Sequence, residues 1–242
     1  MSTERTASEI AHAEAVRTMF SGIARRYDLL NHLLSVNIDK RWRRVVRGKL
    51  AKILQDPSAL VLDVACGTGD LSLELKRGSN AMVIGSDFCR PMLAVAKEKT
   101  SASTVMVPYI EADALDLPFK AESFDAVTIG FGLRNLSNVR DGLVELRRVL
   151  KPGAVLAILE FSSPVLPGFR GLFNFYFNQV LPRIGGAVSG SRLAYEYLPD
   201  SVARFPDQGG LSRLLKETGF EAVEYTNLTG GIAAIHTGSR KT

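Results

Sequence analysis

The residues best suited to chemistry lie in Val61-Leu-Asp-Val-Ala-Cys-Gly-Thr-Gly-Asp70, where an apolar run ends in an acidic residue and a glycine pair opens a helix. Gly67 and Gly69 permit a tight turn and close approach of backbone to a ligand, although such a pair is equally a plain strand-to-helix turn. Asp87 follows Gly67 by 20 residues and ends a second apolar run, where doubly wound nucleotide sites put a carboxylate on ribose hydroxyls. Asp113-Ala114 follows a third run and could accept from an adenine amino group. Two features favour S-adenosylmethionine over a dinucleotide. The third glycine of the dinucleotide fingerprint falls at Ser72. Asp63, Asp70 and Asp87 near one strand edge would repel phosphates and favour a sulfonium and an α-ammonium group.

These residues need a sheet whose strand ends converge. From residue 59 short apolar runs alternate with amphipathic stretches, which predicts repeated βα units and a parallel sheet. Strands are expected at 59–64, 81–86, 105–110, 124–130 and 154–160. Two further runs, 221–225 and 232–237, are separated by Gly230-Gly231, too closely for a crossover helix, and should form an antiparallel hairpin. The expected fold is therefore α/β, a doubly wound, Rossmann-like, mostly parallel seven-stranded sheet with an antiparallel C-terminal hairpin, the layout of class I methyltransferases. Residues 9–54 read as helices, with Phe20, Ile23, Tyr27, Leu30, Leu33 and Leu34 at roughly helical spacing. Residues 1–58 are thus expected to be an N-terminal helical cap and 59–242 the catalytic domain, in one structural unit. Within the latter, 161–200 reads as a substrate-lid insertion containing Phe169, Phe173, Phe175, Tyr176 and Phe177.

Phe124-Asp-Ala-Val-Thr-Ile-Gly-Phe-Gly-Leu-Arg-Asn135 and Ala24-Arg-Arg-Tyr-Asp-Leu-Leu-Asn-His32 narrow the reading. With Leu117-Pro-Phe119, Arg148-Val-Leu-Lys-Pro-Gly153, Leu159-Glu-Phe-Ser162 and Leu228-Thr-Gly-Gly231, they make the chain resemble the menaquinone and ubiquinone biosynthesis C-methyltransferases over residues 20–238. Lys151-Pro-Gly153 is shared by class I methyltransferases generally, whereas the Phe-Gly-Leu-Arg-Asn and Arg-Tyr-Asp-Leu-Leu-Asn segments are more specific. The resemblance implies methylation of a ring carbon of demethylmenaquinol, or of the corresponding polyprenyl benzoquinol. It also implies that Thr68, Asp87 and the Asp113-Ala114 pair contact S-adenosylmethionine. Cys66 stands where many such relatives have glycine, and Ser189-Gly-Ser191 lacks an expected acidic residue.

Methyl transfer to a ring carbon needs an electron-rich ring, and a quinol serves best with one hydroxyl deprotonated, against a phenolic pKa of about 10. Arg134, just beyond the fourth strand, is expected to favour the quinolate, and Asn135 to orient the ring. Their plainer roles would be an ion pair with Asp141 or Glu145 for Arg134 and a helix N-cap for Asn135. Tyr27 and Asp28 could close over the substrate or merely pack. His12, His32 and His236 read as structural. Cys66 and Cys89 form no metal-ligand or disulfide pattern, so no metal is expected.

The chain carries a net charge of +5, and residues 1–58 hold all of it. Seven basic residues and no acidic one fall between Lys40 and Lys52, around an apolar stripe of Trp42, Val45, Val46, Leu50, Ile53 and Leu54. A basic amphipathic helix with tryptophan at its margin suits an anionic membrane surface. With no signal-peptide pattern and no long apolar run, the expectation is a cytoplasmic protein, peripheral at the inner face of the cytoplasmic membrane. A homo-oligomer is compatible with the sequence. A nucleic-acid substrate is disfavoured, because no Asn/Asp-Pro-Pro-aromatic segment follows the fourth strand and neither cysteine follows proline. Methylation of another apolar molecule, such as a sterol, and a non-catalytic cofactor-binding role remain alternatives.

Overall fold

The computed structural model describes residues 5–28, 37–165 and 192–242. The aromatic cluster at 169–177, Leu30, His32, Leu33, Leu34 and Ser189–Ser191 lie outside the described residues. Seven strands form one sheet: β1 (Leu60–Val64), β2 (Met82–Asp87), β3 (Tyr109–Glu111), β4 (Phe124–Gly130), β5 (Leu150–Phe161), β6 (Phe220–Leu228) and β7 (Ala233–Arg240). Their order is β3-β2-β1-β4-β5-β7-β6. The first five are parallel, and β7 runs antiparallel to both β5 and β6.

All seven expected strands are present; the two hairpin strands each run three residues past their expected ends, to Leu228 and Arg240, and two others start four residues away from the expected position. β3 begins at Tyr109 rather than 105, because Pro108 has no N–H to donate, although its carbonyl accepts from Gly85 N at 3.0 Å. β5 begins at Leu150 rather than 154. Pro152-Gly153 is an irregularity inside the strand, with Gly153 at φ +76° and a register shift where β5 meets β4. The hairpin also does more than pair with itself: β7 inserts between β5 and β6 and pairs with β5 from Val155 to Phe161.

Parallel strands buried on both faces are continuously apolar, and β1 shows this, with Val61, Leu62 and Val64 almost fully buried. Helices cover each face. On one side α5 (Val139–Val149) and α7 (Gln208–Glu217) contribute Leu143, Leu146, Leu211 and Leu215 to a core built on Leu62, Val127 and Ile158. On the other, α2 (Ile38–Lys49), a further helical turn at Ala51–Leu54, and α3 (Asp70–Lys76) contribute Trp42, Val46, Leu50, Leu54, Leu71 and Leu75 over Val61, Val83 and Ala157. The remaining α-helices among the described residues are α1 (Ala7–Ile23), α4 (Arg90–Ser101) and α6 (Arg192–Arg204). Of the N-terminal region, then, α2 is a layer of the sandwich, and α1 lies elsewhere, as described below.

Trp42 is 5% exposed and packs against Phe131 and Phe161, with ring centroids at 6.0 and 6.4 Å. Its Nε1 donates to Thr229 Oγ1 at 2.9 Å, so both the ring and its polar handle face inward. It is therefore unavailable as an interfacial anchor, contrary to the sequence expectation. Trp42→Ala should lower stability by about 3–5 kcal/mol through cavity formation. Arg41→Ala, on the exposed side of α2, should change it by less than about 0.5 kcal/mol; chemical denaturation of both variants checks the contrast.

Candidate functional site

The strand order reverses between β1 and β4, and ligands of open α/β sheets bind beyond the carboxyl ends at such a point. Here both strands end in unusual backbone. Ala65 after β1 has φ +50°, and Phe131 after β4 has φ +58°. The two turns touch: a Cβ on Gly132 would lie 2.6 Å from that of Ala65. Gly69, at φ +81°, caps the start of α3, where any Cβ would collide with the Tyr109 hydroxyl.

Between these turns lies an open cleft of about 700 Å³. Gly67, Asp87, Phe88 and Met92 border one part, Asp113 and Ala114 another, and Phe131, Gly132, Asn135 and Ser137 a third. Ala13 and Phe20 of α1, with Tyr27 just beyond it, border the same cleft. The capping box of Thr6 and Glu9 fixes the start of α1. Charged contacts fasten the N-terminal segment to the body. Arg5 Nη1 donates to Asp113 Oδ2 at 2.7 Å, and Asn138 Nδ2 donates to Glu9 Oε1 at 3.1 Å. Asp28 accepts from Thr68 Oγ1 and pairs with Lys99, which also binds Asp70.

The sequence-predicted cofactor residues divide into those that border the cleft and those that support it. Gly67, Asp87, Asp113 and Ala114 border it. Asp87 is 6% exposed and accepts from the backbone N–H of Gly67 and of Cys89, each at 2.8 Å; burial nevertheless pushes its carboxyl up to about 6. Asp63, Thr68 and Gly69 are not among the bordering residues. Asp63 is fully buried beneath the glycine turn, accepting from Ser72 Oγ and from Thr128 Oγ1 at 2.8 Å, and burial raises it too to about 6. Thr68 is 2% exposed and turned to Asp28. Asp70 is paired with Lys99 and Arg43, so the acidic field expected from three aspartates falls mainly to Asp87.

Arg134 also sits behind the cleft surface rather than in it. Its side chain is 6% exposed, and Nη1 donates to Glu160 Oε1 at 2.7 Å and to the Phe131 carbonyl at 2.6 Å. The partner is Glu160, 1% exposed at the end of β5, and neither Asp141 nor Glu145. Asn135 borders the cleft, and the N-cap of α5 is Asn138. His236 is 1% exposed with Nε2 2.9 Å from the Gln208 carbonyl oxygen, a structural placement, and burial lowers its pKa. Sequence reasoning missed Glu160, Lys99, Arg5 and Tyr197. Glu160 alone carried a signal, an acidic residue closing an apolar strand as Asp63 and Asp87 do.

The arrangement offers an acceptor carboxylate and close backbone to a polar ligand, beside an apolar, aromatic space with an amide at its edge. The ubiE/COQ5 methyltransferase family matches residues 8–240. A demethylmenaquinone methyltransferase of Thermus thermophilus is 49% identical, covering 92% of this chain and 100% of its own. A ubiquinone/menaquinone biosynthesis C-methyltransferase of a Geobacter species is 46% identical, covering 94% of this chain and 97% of its own. Among solved structures, a SAM-dependent methyltransferase of Thermotoga maritima, described as a possible histamine N-methyltransferase, superposes with a TM-score of 0.62 at 18% identity, over 93% of this chain and 99% of its own. That likeness concerns the fold.

Asp87 sets opposite pH trends for folding and for ligand binding. Its folded pKa of about 6 exceeds the roughly 3.9 of an unfolded aspartate, so its contribution to stability is full below about pH 3.9 and is lost as pH rises through about 6. Hydrogen-bond donors of a ligand need the carboxylate, so S-adenosylmethionine should bind more tightly at about pH 7.5 than at about pH 5. Asp87→Asn should weaken binding at least about tenfold and flatten that dependence, measured by calorimetric titration.

Proposed function

Because this chain belongs to the ubiE/COQ5 methyltransferase family, we propose that it is an S-adenosylmethionine-dependent C-methyltransferase converting demethylmenaquinol to menaquinol. A polyprenyl benzoquinol of ubiquinone biosynthesis is the second acceptor to test, since relatives carrying either name match at similar identity. The observation that carries the reading is the composition of the cleft wall. Among the described bordering residues are two carboxylates, Asp87 and Asp113, the second already paired with Arg5, and no basic side chain; the rest is largely apolar and aromatic. Such a wall suits a cationic cofactor and an uncharged ring, and disfavours phosphorylated substrates.

Gly67, Asp87, Asp113 and Ala114 would hold S-adenosylmethionine, with Asp63 and Thr68 supporting the turn from behind. The fit rests on Asp87, whose two backbone donors hold its carboxylate in place at the cleft, and on Gly67, whose backbone borders the cleft at φ +55°. When bound, the cofactor supplies a methyl group on an electron-poor sulfonium. The protein excludes water with Phe20, Tyr27, Phe88 and Phe131, and Asn135 offers an amide to a ring oxygen. Hydrogen bonding to the deprotonated oxygen favours the quinolate, leaving water or a cleft carboxylate to take the proton. Arg134, with its charge offset by Glu160, acts by holding the Phe131 turn and not as a free cation at the substrate.

Methyl transfer from labelled S-adenosylmethionine to short-tailed demethylmenaquinol, kept reduced in detergent, should give product, whereas the oxidised quinone should give none. Equal labelling of quinol and quinone, or of neither with cofactor binding intact, would refute this reading.

A second element of the proposal is membrane contact through α2. Arg43 is paired with Asp39 and Asp70, and Arg47 with Glu74, while Lys40, Arg41, Arg44, Lys49 and Lys52 are exposed. Basic side chains near an anionic surface are worth about 1 kcal/mol each. No helix among the described residues is long and apolar enough to cross a membrane. With Trp42 buried, attraction through α2 should be chiefly electrostatic. Sedimentation with vesicles should therefore show binding to anionic lipid that falls with added salt, and little to neutral lipid. Replacing Lys40, Arg41, Arg44 and Lys52 by Gln should abolish the preference.

A further inference from the structure

Asn135 meets the cleft with its amide fixed on two sides. Nδ2 lies 3.3 Å from the Phe131 carbonyl, which can only accept, so the NH2 end must face it. Oδ1 then faces Tyr197, whose hydroxyl donates to it at 3.1 Å. The Phe131 carbonyl is itself anchored by Arg134 Nη1 at 2.6 Å, and Arg134 by the buried Glu160. An amide NH2 carries two hydrogens, so one remains beyond the bond to Phe131. Tyr197 comes from α6, 62 residues later in the sequence, and is the only residue outside the β4–α5 connection that hydrogen-bonds the Asn135 side chain among the described residues.

We infer that Tyr197 is a positioning residue for methyl transfer: its hydroxyl locks the Asn135 amide so that the remaining N–H is presented to the oxygen of the ring being methylated. Burial raises the Tyr197 pKa, and the phenol therefore stays protonated and able to donate at neutral pH. Without that donor the amide can rotate about its last side-chain bond, and an N–H already aimed at the charge that deprotonation leaves on the ring oxygen becomes one that must be reoriented. The inference rests on the reading that a ring oxygen meets Asn135.

The test is a double-mutant cycle between Tyr197→Phe and Asn135→Ala, followed by quinol turnover and by S-adenosylmethionine affinity. Tyr197→Phe removes one oxygen, and thermal unfolding should show it folded. It should lower kcat about three- to tenfold with cofactor affinity unchanged. In the Asn135→Ala background the same substitution should cost less than about twofold, because the group it orients is gone. Asn135→Ser serves in place of Asn135→Ala if the latter does not fold. Full kcat in Tyr197→Phe, an equal loss in both backgrounds, or a loss of cofactor affinity in place of kcat would each overturn the inference. Undiminished turnover in the Asn135 variants would instead overturn the substrate reading on which it stands, and the inference with it.

Discussion

A carboxyl group buried in the centre of the sheet sets the geometry of everything at its carboxyl edge. Asp63 on β1 takes the Ser72 hydroxyl of α3 with one oxygen and the Thr128 hydroxyl of β4 with the other. It thereby fastens together the helix that follows the glycine turn and the strand that leads to Phe131 and Asn135. Burial in so apolar a place opposes ionisation, and two neutral hydroxyl donors offset only part of that penalty. The chain tolerates the expense because the two turns built on β1 and β4 must meet within a methyl's width, as the Ala65 and Gly132 contact shows.

Charge around the cleft follows the same logic of internal compensation. Asp70 is balanced by Lys99 and Arg43, Asp28 by Lys99, and Arg134 by Glu160. Asp113 meets Arg5 from the N-terminal segment. Asp87 is the exception: its partners are backbone N–H groups, which hold a carboxylate in place without cancelling its charge. A cofactor bearing positive charge and hydroxyl donors therefore finds one acidic group oriented toward it. An uncharged ring beside it meets mostly carbon.

The strands, their parallel and antiparallel senses and the glycine turn were legible because each is written locally, in apolar runs and in residues that tolerate unusual backbone. What escaped were pairings made across the fold. Arg134 has acidic residues at helical distances in Asp141 and Glu145, but its partner arrives from β5, a strand away in space and 26 residues away in sequence. Tyr197 reaches Asn135 over 62 residues, with no local pattern to announce it. Trp42 exposes a different ambiguity. An aromatic residue on the apolar stripe of a basic helix satisfies both a protein core and a membrane interface, and only Phe131, Phe161 and Thr229 decide between them. The family-level reading rested on segments now seen to be contiguous in space: the Phe131–Asn135 turn and Tyr27-Asp28 border or brace one cleft.

The N-terminal segment presents Ala13, Phe20 and Tyr27 to that cleft at intervals of seven residues, so it roofs the space over roughly its whole length. Its polar fastenings, Arg5 to Asp113, Glu9 to Asn138 and Asp28 to Lys99, are all partly solvated. Contacts of that kind contribute about 0–1 kcal/mol each. Together the three hold the segment by at most about 3 kcal/mol, whereas Val16 and Ile23, 2% and 6% exposed, would each cost about 1.5–3 kcal/mol to bring into water. The roof is thus held by buried carbon at least as firmly as by charge, and added salt, which weakens only the second, should barely loosen it.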